Sequence, residues 1–102
     1  MDCSGLIYVA FKQEDVLLPR ISRDMAKKGR PVKLKDVKKG DLLFFQTNKN
    51  RKIINHVGLV TNSNPRGIEF IHSTTSKGVI TSTLKEPYWL STFIEARRIL
   101  LN

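Results

Sequence analysis

Asn55-His56-Val57-Gly58-Leu59-Val60-Thr61, followed by Asn62-Ser63-Asn64-Pro65-Arg66-Gly67 and then Ile68-Glu69-Phe70-Ile71-His72-Ser73, is the stretch from which the fold follows. The outer pieces are rich in β-branched and apolar residues and the middle piece is dense in turn formers, which is the pattern of a β-hairpin. A turn centred on Asn64 sets His56 directly opposite His72, with Cβ atoms about 5 Å apart. A turn centred on Pro65 keeps the two on one face as diagonal neighbours. A half-residue shift of the centre puts them on opposite faces, because side chains alternate along a strand. Gly58 shares the histidine face in the first two registers, and its missing side chain is expected to leave room there for the helix that carries Cys3.

Working outward, Gly40-Asp41 opens a strand at Leu42-Leu43-Phe44-Phe45, residues 78–83 alternate as a strand, and residues 94–101 form a last one. Residues 3–13 read as a first helix. Leu18-Pro19 is an extended exit, since proline disfavours helix in the residue before it. Ser22 caps a short helix through Lys28 that Gly29 ends. Helices first and strands after give an α+β class: an N-terminal helix packed on a mainly antiparallel sheet of about five strands. The 102 residues, 40% of them apolar, suit one domain with one core. No stretch approaches the roughly 20 apolar residues of a membrane span.

Cys3 is the only cysteine, and His56 and His72 are the only histidines. Asp2 is placed to accept from the free amides of the first helical turn, which makes Cys3 the first helical residue. The helix dipole there favours a thiolate over a thiol, so a depressed Cys3 pKa is expected. One cysteine and two histidines are the minimal parts of a cysteine hydrolase. Two other readings use the same residues. A lone cysteine beside Leu6, Ile7 and Val9 suits a small buried hydrophobe, and a Cys/His₂ set has the donor types of a zinc site. With no carboxylate in liganding position, no metal and no cofactor is expected.

Eighteen Lys and Arg against nine Asp and Glu give a net charge of +9, a field that attracts polyanions. The basic residues cluster at 20–23, 27–30, 33–39, 49–52 and 97–98. No nucleic-acid reader motif and no interleaved aromatic ladder accompanies them, which argues against nucleic acid. Anionic polymers of a cell envelope fit the charge at least as well.

Asp2-Cys3-Ser4-Gly5-Leu6-Ile7, Leu18-Pro19-Arg20-Ile21-Ser22, Gly40-Asp41-Leu42-Leu43-Phe44-Phe45, His56-Val57-Gly58-Leu59-Val60 and Phe70-Ile71-His72-Ser73 with Gly78-Val79 together resemble the NlpC-type cell-wall cysteine peptidases. The resemblance spans nearly the whole chain. It implies a single domain with a reduced papain-like fold that hydrolyses amide bonds in peptidoglycan stem peptides, typically between γ-D-glutamyl and a diamino acid. It also implies a cell-envelope setting, periplasmic or secreted. Resemblance and residue chemistry agree on Cys3 as nucleophile, His56 as general base and His72 as the group that orients it. Resemblance alone places Asp2, Ser4 and Ser22 in the substrate groove. Arg20 is read either as a partner for a substrate carboxylate or as half of a salt bridge to Asp24 or Asp41. Such peptidases usually carry, upstream of the cysteine motif, a helix and a Tyr-containing, Gly-rich segment that the chain as given does not include. A catalytically weak or inactive envelope-binding module and a related thiol acyltransferase remain open on these residues.

The basic clusters fall mostly outside the Cys3 and His motifs, so the charge is expected to serve attachment and not chemistry. Binding to anionic cell-wall sacculi should weaken steeply as salt rises from tens to hundreds of millimolar, while turnover of a small stem peptide changes little. Replacing Lys49, Arg51 and Lys52 with glutamine should mimic high salt; a matching loss of small-peptide turnover would place that loop in the active-site groove.

Overall fold

In the computed structural model, which describes residues 3–13 and 18–99, the elements run α1 (Cys3–Lys12), α2 (Ser22–Met25), β1 (Arg30–Val32), a 3₁₀ turn (Leu34–Asp36), β2 (Leu42–Phe45), β3 (His56–Asn64), β4 (Gly67–Thr74), β5 (Gly78–Thr83), α3 (Pro87–Thr92) and β6 (Phe93–Arg98). The strands form one antiparallel sheet in the order β1-β6-β2-β3-β4-β5. Strand β1 is the one beyond the five expected. Three residues with a proline in the middle are too short to show a period of two, and only pairing with β6 makes them a strand.

Alternation along β2 explains the two-sided core. Leu42 and Phe44 point to the face covered by Ile7 and Phe11 of α1, with Val57, Leu18 and Met25 beside them. Leu43 and Phe45 point the other way, onto Val60, Phe70, Leu84 and Ala96, with Trp89 of α3 packed against them. All four β2 side chains are fully buried, each contributing about 1.5–3 kcal/mol through burial. Such a strand reads as a continuous apolar run because it has no wet face.

The β3–β4 hairpin holds two registers. Near the tip, Asn64 pairs with Gly67 and Asn62 with Glu69 around a two-residue loop, Pro65-Arg66. Pro65 fixes its own φ, and Asn64 Oδ1 accepts from the Arg66 N–H at 2.8 Å. Nearer the body, Val60 pairs with Phe70 and Leu59 with Ile71. The bulge between Val60 and Asn62 absorbs the extra residue. The tip thus has the half-residue offset that would separate the histidines, and the bulge restores the register centred on Pro65. His56 and His72 accordingly share a face as diagonal neighbours rather than directly opposed residues.

Gly58 does share the histidine face, but α1 does not approach there. A Cβ on Gly58 would lie 2.6 Å from Phe70 Cδ2, so the space belongs to the Phe70 ring, while α1 packs on the opposite face of the sheet. The expected helix over residues 22–28 stops at Met25. Lys27 and Lys28 bond back only three residues, to the carbonyls of Asp24 and Met25, and Gly29, at φ 65°, turns the chain away. Helix α3 was not expected; Pro87 sits in its first turn, where its missing N–H costs nothing. The last strand starts one residue early, at Phe93, and the far end of its expected span lies outside the described residues.

Gly40-Asp41 works as a strand start. Asp41 is buried and accepts Arg98 through Nε and Nη2, both at 2.8 Å, and the Lys38 N–H at 2.8 Å. This fork ties β2 to β6 and to the turn before β2. Asp41→Ala should leave Arg98 without its carboxylate and the Lys38 amide unpaired, costing about 3–5 kcal/mol. Urea denaturation checks this; a loss below about 1 kcal/mol would mean that water replaces the carboxylate at no cost.

Candidate functional site

Cys3, half-buried, is the first residue of α1. Its Sγ lies 3.9 Å from the Asn55 carbonyl oxygen, at the limit for a sulfur hydrogen bond. Asn55 is held from both sides. Its N–H donates to the Phe45 carbonyl at 3.0 Å, and its Oδ1 accepts from Thr47 N–H at 2.9 Å and Thr47 Oγ1 at 3.1 Å. His56 follows as the first residue of β3. Cys3 and His56 belong to opposite layers of the sheet, and both line one cleft because each is the first residue of its element. A cleft of about 650 Å³ is lined by Cys3, Asn55 and His56 together with Ser73, Tyr88 and Trp89.

The two histidines are 3.0 Å apart through His56 Nε2 and His72 Nδ1. His72 Nε2 is in turn 2.8 Å from Ser82 Oγ on β5. His72 pairs with Ile80 across β4 and β5, and Ser82 lies two residues further on. The row His56, His72, Ser82 is therefore one straight diagonal across three strands, on one face.

Aromatic rings enclose this row. Trp89 stacks on His56 with ring centroids 5.4 Å apart and meets His72 edge-on at 4.7 Å. Phe45 and Phe70 close the other sides. His72 is fully buried. Burial, reinforced by the neighbouring imidazole of His72, lowers the His56 pKa to about 4. Burial also lowers the His72 pKa, and the Glu86 carboxylate opposes that shift. Both rings are thus held neutral at ordinary pH, the form in which an imidazole can accept a proton.

The other sequence-derived candidates are dispersed. Ser4 and Ser22 are both buried, and neither lines the cleft among the described residues. The Arg20 guanidinium lies over the Tyr8 ring, 5.3 Å from its centroid. Asp41 is occupied by Arg98 and Asp24 lies 3.7 Å from Lys27. Asp2 lies outside the described residues. Tyr88-Trp89, beside Pro87, reads from the sequence as a core or rim anchor with sugar stacking as the weaker alternative, and both residues line the cleft; Asn55 and Ser82 were not read as parts of this site. Ser82 sits on the same face of an alternating strand as its neighbours at 78 and 80, but nothing in the sequence fixes the β4–β5 register that carries it to His72.

The NlpC/P60 family model matches residues 1–98. The murein DD-endopeptidase MepS/murein LD-carboxypeptidase of Escherichia coli K12 is 36% identical over 101 residues, which are 98% of this chain and 50% of that protein. The γ-D-glutamyl-L-lysine dipeptidyl-peptidase of Bacillus subtilis is 39% identical over 98 residues, 95% of this chain and 32% of that protein. The chain thus spans about half, or less, of the length of these relatives. A crystal structure of an NlpC/P60 protein from Bacillus cereus superposes with a TM-score of 0.86 at 28% identity, covering 98% of this chain and 32% of that one. An N-terminal helix over a six-stranded antiparallel sheet, and a likeness that runs the length of the sequence, lead to one assignment: this chain belongs to the NlpC/P60 family.

Proposed function

We propose that this domain is a cysteine endopeptidase that hydrolyses an amide bond in peptidoglycan stem peptides, that between a γ-D-glutamyl residue and a diamino acid, with Cys3, His56 and His72 as its triad. The observation that carries the reading is the cleft shared by Cys3 and His56, with His56 Nε2 engaged by His72. That engagement leaves Nδ1 as the nitrogen for the thiol proton. The relatives named for murein endopeptidase and γ-D-glutamyl-L-lysine peptidase activity support the substrate class. The basic surface supports attachment to anionic polymers of the envelope, the setting proposed for the protein.

In this mechanism His56 Nδ1 takes the proton of Cys3, and Sγ attacks the amide carbon. The carbonyl becomes an oxyanion, for which the Cys3 N–H at the start of α1 is the donor in this reading. His56 then gives its proton to the leaving amine as the C–N bond breaks. Water attacks the thioester next, His56 takes the water's proton, and the proton returns to Sγ as the acid leaves. His72 holds the His56 ring throughout by accepting from Nε2–H. Incubation with purified muropeptides and mass spectrometry of the products tests the whole reading. Cleavage at the γ-D-glutamyl bond is expected, and unchanged muropeptides would overturn it.

His56→Ala should lower kcat by about 10²–10⁴-fold. His72→Gln, which can still accept from Nε2–H, should retain a measurable part of kcat. The reverse ranking, read from steady-state kinetics on one soluble stem peptide, would exchange the roles of the two histidines.

The acidic limb of kcat/KM should lie near pH 4 rather than near the ordinary 6.5, since His56 stays neutral until its lowered pKa. Stability follows the same group. Unfolded His56 binds its proton near 6.5 and folded His56 only near 4, so the unfolded state gains protons first as pH falls. The contribution is complete above 6.5 and is lost between 6.5 and about 4. Thermal unfolding should show that slope in the wild type and a shallower one in His56→Gln; equal slopes would mean that His56 is not held neutral.

A further inference from the structure

The neutral imidazole has two tautomers, and only one of them works here. If His56 Nδ1 is to receive the thiol proton, the hydrogen of neutral His56 must sit on Nε2 and be donated to His72 Nδ1, across the 3.0 Å contact. Then His72 Nδ1 is bare, and the hydrogen of His72 must sit on Nε2. That nitrogen faces Ser82 Oγ at 2.8 Å. The alternative chain runs backwards: Ser82 donates to a bare Nε2, His72 donates from Nδ1, and His56 carries its hydrogen on Nδ1, where it blocks proton transfer. The same heavy-atom positions serve both chains, so the group behind His72 decides between them.

We propose that Ser82 is a positioning residue for the proposed peptidase reaction: its hydroxyl oxygen accepts from His72 Nε2–H and thereby fixes both imidazoles in the tautomers that leave His56 Nδ1 bare. The inference rests on the Cys3–His56–His72 reading above. The role of His56 selects acceptance over donation by Ser82, since only that direction of the two contacts leaves His56 Nδ1 bare. Because His72 is fully buried, an unpaired N–H at Nε2 would be costly. Without the hydroxyl, His72 is expected to move its hydrogen to Nδ1, where His56 can accept it.

Kinetics and imidazole nitrogen NMR on the same protein samples test this. In the wild type both histidines should be Nε2–H tautomers. In Ser82→Ala, His56 should become the Nδ1–H tautomer, and kcat on a soluble stem peptide should fall about tenfold or more with KM within about twofold. Ser82→Thr keeps the hydroxyl and should restore both the tautomer and most of kcat. A wild-type His72 that is Nδ1–H, or a Ser82→Ala variant with unchanged tautomers or unchanged kcat, would overturn the proposal. The wild-type spectrum decides the point even if Ser82→Ala does not fold. The spectra need no turnover, so an inactive wild type would sink the peptidase reading while the hydrogen-bond assignment is still judged separately.

Discussion

The parity of one hairpin governs the rest of the site. Strands offer side chains to two faces in strict alternation, so a single extra residue between His56 and His72 exchanges their faces. At the tip of the β3–β4 hairpin that extra residue is present, and the bulge next to Val60 removes it again before the histidines are reached. A helix that presents Cys3, a row of rings that desolvates His56 and a hydroxyl behind His72 are all useful only if this local irregularity is kept. Bulges of this kind re-aim side chains, and here the side chain re-aimed is the candidate base.

Around that constraint the domain separates two tasks. One face of the sheet holds α1 through Ile7 and Phe11 and positions Cys3, the proposed nucleophile, from behind. The other buries the histidine row against Phe45, Phe70 and Trp89. The first task is mechanical and the second electrostatic. A dry aromatic surround keeps both imidazoles neutral, yet His56 Nε2 and both nitrogens of His72 stay satisfied along the diagonal, which avoids the cost of burying unpaired polar groups.

What could be read from the sequence was whatever local pattern decides. The apolar run at 42–45, the turn formers at 62–67 and the cysteine before a helical stretch announce their elements without tertiary information, and the placement of His56 and His72 on one face followed from hairpin geometry in both registers considered, of which the one centred on Pro65 is found. The rest depended on contacts between distant segments. A three-residue strand such as β1 exists only through β6. The short helix at Trp89 carries too few residues to show a period, and its ring covers the histidines from a place that spacing cannot give. The role imagined for Gly58 failed because a gap in sequence was taken for a gap in space, and Phe70 fills it. Ser4 and Ser22, which resemblance alone placed in the groove, are buried.

The two rims of the sheet differ in a way that bears on behaviour at high concentration. On one side β1 is only three residues long, begins with Arg30, has Pro31 at its centre and is followed by Lys33. A proline there has no N–H to offer an incoming strand, and the charges repel a second copy. On the other side β5 runs for six residues without a proline, carries no charged side chain, and exposes Val79. Self-association by strand addition would therefore be one-sided, through β5, and the β1 rim would stop it from growing beyond a pair joined at their β5 strands.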